Sequence, residues 1–169
     1  MPTYIALLRA VNVGGTGKLP MAELRAMCED AGFEDVRTYI ASGNVVFGST
    51  LSAKRVKAEL ERRLAEYAGK PVGVIVRTGA EMARALAAQP FAQAAPNRAV
   101  LIFLDEPPPA DALAVVKHRN GEDIALGERE IYVHYGDGMA DSKLVIPAAK
   151  AGTARNLNTV AKLIEMAGG

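Results

Sequence analysis

Several stretches of this 169-residue chain combine side chains suited to holding an anion. Arg9 stands inside the otherwise apolar run Tyr4-Ile5-Ala6-Leu7-Leu8-Arg9-Ala10-Val11. A guanidinium there must be paired or reach solvent, because burying it alone is prohibitive. Two roles meet that demand: an internal ion pair with a carboxylate of the second half, or a bidentate grip on an anionic ligand. Asn12-Val13-Gly14-Gly15-Thr16-Gly17-Lys18 follows directly. A glycine-rich passage from strand to helix presents free amides and a cation, so Asn12, Gly14, Gly15 and Lys18 are candidate contacts for an anion. The run is not a P-loop, since Asn12 occupies the place of the first glycine and Leu19 that of the Ser/Thr. Nor does Gly15-Thr16-Gly17-Lys18-Leu19-Pro20 complete the dinucleotide fingerprint.

Two further groups share this chemistry. Ser42 and Asn44 flank Gly43 at what reads as a hairpin tip, where a turn favouring positive φ explains the residues without any ligand. Late in the chain, Ser142-Lys143 is followed by Thr153-Ala154-Arg155-Asn156-Leu157-Asn158-Thr159, read as the opening of a final helix. Arg155, Asn156 and Asn158 would there join unpaired amides, an arrangement suited to phosphate or carboxylate. Asn156 or Thr153 as a plain helix cap accounts for part of the pattern.

Catalytic constellations are sparse. Cys28 falls on a helix face with Leu24 and Met27 and reads as an inert core thiol. His118 and His134 are isolated, without the Cys, Asp or Glu spacing of a metal site. Neither GxSxG nor HExxH occurs, and nothing in the spacing asks for a cofactor.

The elements that must carry these residues follow from periodicity. Residues 4–11 form a strand apolar on both faces. Met21, Leu24, Met27, Cys28 and Ala31 make one face of a helix closed by Gly32-Phe33. Val36–Ile40 and Val45–Phe47 pair as a hairpin, and Ser52 caps a helix whose buried stripe is Val56, Leu60, Leu64 and Tyr67. Val72–Val76 is another strand. The order over residues 3–77 is βαββαβ, the ferredoxin-like unit. Thr78 and Glu81 are spaced as a capping box opening a short helix, and residues 78–97 connect the halves. Ala99–Leu104, a helix holding Leu113 and Val116, the hairpin Ile124–Leu126/Glu130–His134 and C-terminal helices then give βαββα. The expected fold is therefore α+β: a tandem pair of ferredoxin-like, RNA-recognition-like subdomains at 1–77 and 98–169, packed as one cooperative unit.

Composition limits the partners. Half the residues are hydrophobic and 23% charged, with one cysteine, as in a folded protein of a reducing cytoplasm. Neither a signal peptide nor a membrane span is expected. Eleven basic and eight acidic residues up to Arg77, against nine and eleven beyond it, leave +1 in total and no strong field for polyanions. RNA-recognition modules stack bases on strand aromatics, but here the central strands of the first half offer only Tyr4 and Phe47, and aromatics are 5% of the chain.

Leu7-Leu8-Arg9-Ala10-Val11-Asn12-Val13-Gly14-Gly15 together with Thr38-Tyr39-Ile40-Ala41-Ser42-Gly43-Asn44-Val45 resembles a mainly bacterial family of unknown function. The resemblance continues through Pro90-Phe91, Pro107–Pro109, Ser142-Lys143-Leu144 and Thr153–Val160 and so spans essentially the whole chain. It implies the tandem α+β fold and brings no reaction or catalytic residue with it. Its relatives usually carry Trp where this chain has Leu157. The expected function is binding of a small anionic or nucleotide-like ligand in a cleft between the halves. The alternatives are an enzyme that activates such a compound electrostatically, and an RNA- or protein-interaction module.

Overall fold

The structure is a computed structural model and describes residues 1–9, 19–39, 43–91, 95–136 and 142–168. Its elements run β1 (Thr3–Leu8), α1 (Met21–Asp30), β2 (Glu34–Tyr39), β3 (Asn44–Gly48), α2 (Ala53–Ala68), β4 (Val74–Thr78), α3 (Gly79–Ala87), β5 (Ala99–Phe103), β6 (Asp123–Leu126), β7 (Glu130–His134), β8 (Thr153–Asn156) and α4 (Leu157–Met166). The fold is mixed α and β, with two four-stranded antiparallel sheets and four α-helices among the described residues. Sheet 1 has the order β2-β3-β1-β4 and sheet 2 the order β6-β7-β5-β8. The chain divides into two compact units, Met1–Met82 with Leu163–Gly169 and Ala83–Lys162.

In the first unit, strand alternation sends Tyr4, Ala6 and Leu8 into one core with Leu24 and Cys28 of α1 and Val56, Leu60 and Leu64 of α2. Phe33 stacks on Phe47 at 4.3 Å and 5°, filling the floor of that core. The helix ends are closed as their residues suggest. Ser52 Oγ accepts the Arg55 amide at the start of α2, and Gly69 ends that helix in the left-handed conformation. After α1, Gly32 at φ 87° lets the Phe33 and Gly32 amides return to the Cys28 and Glu29 carbonyls. The capping box at α3 is reciprocal: the Glu81 amide donates to Thr78 Oγ1, and the Thr78 amide donates to Glu81 Oε1.

β4 is an edge strand, and α2 closes part of its free side. Glu61 Oε2 accepts the Val74 amide at 3.0 Å, while Lys57 Nζ donates to the Val74 carbonyl at 2.8 Å. Lys57 and Glu61 are themselves paired at 2.6 Å. These bonds use backbone groups that would otherwise be open to another strand.

The second unit departs from the expected βαββα in two places. The helix expected around Leu113 and Val116 is a single 3-10 turn, Ala112–Val115. Val116 is extended (φ −66°, ψ 138°), and Lys117 exchanges two 2.9 Å backbone bonds with Val145. The β-branched pair Val115-Val116 and this bridge leave no room for the turns a stable helix needs. The tail from Asp141, expected to be helical, holds a 3-10 turn at Pro147–Ala149 and then the fourth strand β8, and Asp141 itself lies outside the described residues. Thr153–Asn156 therefore pairs with β5, from Phe103↔Thr153 to Val100↔Asn156, and only its last residue, Asn156, reaches the start of the final helix as its cap.

Gly152 explains that turn to strand. A Cβ there would lie 2.6 Å from the Phe103 carbonyl oxygen and 2.7 Å from Leu104 Cδ2, so only a bare backbone comes flush with β5. Gly152→Ala is therefore expected to destabilise the protein by about 2–3 kcal/mol through overpacking against backbone. Ser52→Ala, which removes one cap, is expected to cost about 1 kcal/mol. Urea-unfolding midpoints of the two variants check both figures.

Candidate functional site

The two described candidates of the first unit, Arg9 and Asn44, lie at one end of sheet 1. β1 ends there, and three backbone segments meet. The Leu8 amide donates to the Gly43 carbonyl and the Arg9 amide to the Gly73 carbonyl, both at 2.9 Å. Asn44 is opposite Leu7, fully buried, and its Nδ2 donates to the Tyr39 carbonyl at 2.9 Å, closing the β2–β3 hairpin. Arg9 is half-buried, and its side chain crosses Gly73: a Cβ on Gly73 would meet Arg9 Cδ at 3.0 Å and Nη1 at 3.5 Å. By strand alternation Arg9, Leu7 and Asn44 share the face of sheet 1 turned away from α1 and α2. Asn12, Gly14, Gly15, Lys18 and Ser42 lie outside the described residues.

The candidates of the second unit are engaged in internal bonds where their partners are seen. Arg155 is buried on β8, and its Nη1 donates to Thr153 Oγ1 at 2.6 Å and to the Ala154 carbonyl at 3.0 Å. Burial pulls this guanidinium down to about 10. Asn156 Oδ1 accepts the Thr159 amide at 2.9 Å and so caps α4. Asn158 and Lys143 are exposed. Ser142 donates its hydroxyl to Glu122 Oε2 at 2.6 Å.

Glu122 is the residue that sequence reasoning passed over. It is only 3% exposed, and besides Ser142 its carboxylate takes the backbone amide of Asn120 through Oε1. Arg119 Nε donates to the Glu122 carbonyl at 2.8 Å. The Ser142 hydroxyl, followed by the Asn120 amide, holds the carboxyl below its ordinary value of 4.5. Tyr135 is raised in turn, first by burial and then by the Glu122 charge. A single Glu after Asn120-Gly121 gives no periodic signal. Only its pairing with a serine twenty positions on reveals it.

The sheet faces offer little to a ligand. In sheet 1 the face away from α1 and α2 carries Ile5, Leu7, Val46 and Ile75, all 0% exposed, and Arg77 at 1%. Arg77 Nη1 donates to the Val76 carbonyl at 3.1 Å. In sheet 2, Leu101, Phe103 and Tyr132 are equally buried on one face, with Tyr132 OH donating to the Ala85 carbonyl at 2.8 Å. Tyr4 and Phe47, the two central-strand aromatics of the first half, lie in the helix-side core, 6.2 Å apart. A platform on which bases could stack is thus absent from the described central strands. Cys28 is buried, and desolvation reinforced by Glu29 pushes its thiol up to about 12, as befits an inert core residue. Among the described residues no group of three His, Cys, Asp or Glu is placed to hold a metal ion, and no helix is long and apolar enough to cross a membrane.

Comparison with known proteins places this geometry in a wider set. A family model described as protein of unknown function (DUF1697) matches residues 1–132. The solved structure of conserved bacterial protein SP0830 from Streptococcus pneumoniae is similar over 98% of each chain, with a TM-score of 0.80 at 24% identity. No curated protein matches.

The Glu122 environment generates a pH prediction. The charged form is the one held, so its contribution is complete at neutral pH. It is lost as pH falls below 4.5 toward the lowered value of the folded state. Glu122→Gln is accordingly expected to be less stable than the parent at pH 7, with the gap closing as pH drops below 4.5. Thermal unfolding of the two proteins across that range checks it. The comparison removes Glu59 from the reading, whose carboxyl Arg62 and Arg63 also hold low.

Proposed function

The chain belongs to the DUF1697 family of proteins of unknown function, and on that premise we propose that it is a cytoplasmic protein that binds a small anionic, nucleotide-like ligand at the end of sheet 1 where β1 finishes. Arg9 supplies the cationic contact. The observation that carries this reading is the position of Arg9. Its amide is fixed to Gly73 and its side chain lies across the bare backbone of that glycine, at a strand end rather than in the closed sheet face. A guanidinium so placed has its stem held by packing and its fork suited to a phosphate or carboxylate. In sequence it opens directly onto the glycine-rich run that ends at Lys18. Asn44 supports the site from the neighbouring hairpin by holding the Tyr39 carbonyl.

The same reading takes each unit as ferredoxin-like and the pair as a duplicated module. Supporting it, the two sheets share one order of strands, with the first strand of each flanked by the third and fourth. Residue-level traces agree. Arg77 is opposite Ile5 and donates to the carbonyl of the residue before it, as Arg155, opposite Leu101, does. Each arginine is followed by a residue whose side chain caps the next helix, Thr78 for α3 and Asn156 for α4. Arg155 and Asn156 are accordingly read as parts of the framework, and the anion site is assigned to the first unit alone.

Thermal-shift measurements with inorganic phosphate and with nucleoside mono- and triphosphates test the site. A bound probe at a hundredfold excess over its dissociation constant is expected to stabilise the parent by about 3 kcal/mol. Arg9→Met, which keeps the packing over Gly73, is expected to lose that response, and Lys143→Met in the second unit to keep it. An equal shift in Arg9→Met and the parent refutes the assignment.

A further inference from the structure

The second unit contains a short length of chain, residues 142–146, that belongs to neither a sheet ladder nor a helix. It nevertheless covers core. Ile146 is buried with Val100, Ile102, Ile131 and Val133, and Leu144 packs on the same cluster beside Val116. Lys143 and Val145 face outward, with Val145 46% exposed. Among the described residues two fastenings hold the segment. At one end the Ser142 hydroxyl donates to Glu122; near the other, Val145 and Lys117 exchange their backbone bonds. The receiving loop is set for this purpose. His118 adopts a left-handed φ of 58° and Gly121 one of 83°, turning Glu122 so that one oxygen takes the Asn120 amide and the other meets Ser142. The Ser142 oxygen also accepts the Leu144 amide at 3.3 Å, so the hydroxyl joins the segment's own turn to the loop.

We propose that the Glu122–Ser142 bond is a latch, that residues 142–146 are a strap over the core of the second unit, and that releasing the latch opens the strap while sheet 2 stays intact. Among the described residues, few bonds hold the segment compared with the core it covers. Segments held by few backbone bonds open at lower free energy than the ladders beside them. Here one charge-assisted bond and one isolated bridge stand against the continuous β5–β7 ladder from Ala99↔His134 to Phe103↔Glu130. Opening would bare Leu144, Ile146 and Val116, an apolar surface that the closed strap keeps from water. The change that fits such a release at neutral pH is added negative charge at Ser142, which would replace a donated proton by repulsion from Glu122. This device is independent of the anion site in the first unit.

Residue-resolved hydrogen exchange on the full chain at pH 7 tests it. The amides of Lys117 and Val145 report the bridge, and those of Ile102 and Tyr132 report the sheet. In Ser142→Ala, Ser142→Asp and Glu122→Gln the bridge amides are expected to exchange at least about tenfold faster, as loss of a hydrogen bond to a charged group implies, and in parent and variants alike to be less protected and to open with a weaker urea dependence than the sheet amides. Ser142→Ala keeps the test decisive if Ser142→Asp fails to fold. Unchanged bridge amides overturn the proposal. So do bridge and sheet amides that show one protection and one urea dependence in the parent, since strap and sheet would then open as one cooperative structure.

Discussion

Closure of the central strands on both faces is the constraint on which the remaining architecture depends. β1 sends Tyr4, Ala6 and Leu8 to one core while Ile5 and Leu7 are buried on the other side. β5 repeats this with Val100 and Ile102 against Leu101 and Phe103. A strand so enclosed can carry no exposed functional side chain along its length, because any charge there meets the full cost of desolvation. Chemistry is displaced to strand ends and to the loops that leave them. Arg9 is the first residue of its strand run to escape, and the hydrogen bonds of Leu8 and Arg9 gather Gly43 and Gly73 around that exit.

The arginines illustrate the rule from both directions. Arg77 and Arg155 remain within closed faces and turn back onto backbone carbonyls and, for Arg155, a threonine hydroxyl. Burial draws the Arg155 guanidinium down to about 10, the mark of a cation held at a cost and used structurally. Arg9 is only half-buried, and its stem is set by contact with a glycine. The buried carboxylate Glu122 follows the same logic with the opposite sign: it is tolerated because an amide and a hydroxyl point at it.

Much of the first unit is legible in the sequence because its signals are local. Ser52, Gly69, Gly32-Phe33 and the Thr78/Glu81 box each close a helix where their chemistry suggests, and the apolar stripes of α1 and α2 have the expected period. The second unit is harder to read because tertiary pairing overrides local preference. Leu113 and Val116 suggest a helix, yet the bridge between Lys117 and Val145 pulls the chain straight. Thr153 and Arg155 look like part of the amide-rich mouth of a helix, whereas the fit of Gly152 against Phe103 commits them to β8 beside β5 and leaves Asn156 alone to cap α4. Of the candidate site, Arg9 and Asn44 fall at one sheet end as adjacent-strand positions would suggest. Glu122 carries no pattern, since its meaning comes from Ser142, remote in sequence.

The central claim is that the closed sheet faces leave the end of β1 as the place where this protein meets a small anion. A backbone-amide NMR titration with inorganic phosphate and a nucleoside triphosphate addresses it directly. The account predicts concentration-dependent shifts at Arg9, Gly43 and Gly73, with the mid-strand amides of Val46 and Ile75 unmoved. Shifts centred on Val46 and Ile75, with the β1 end silent, would contradict it.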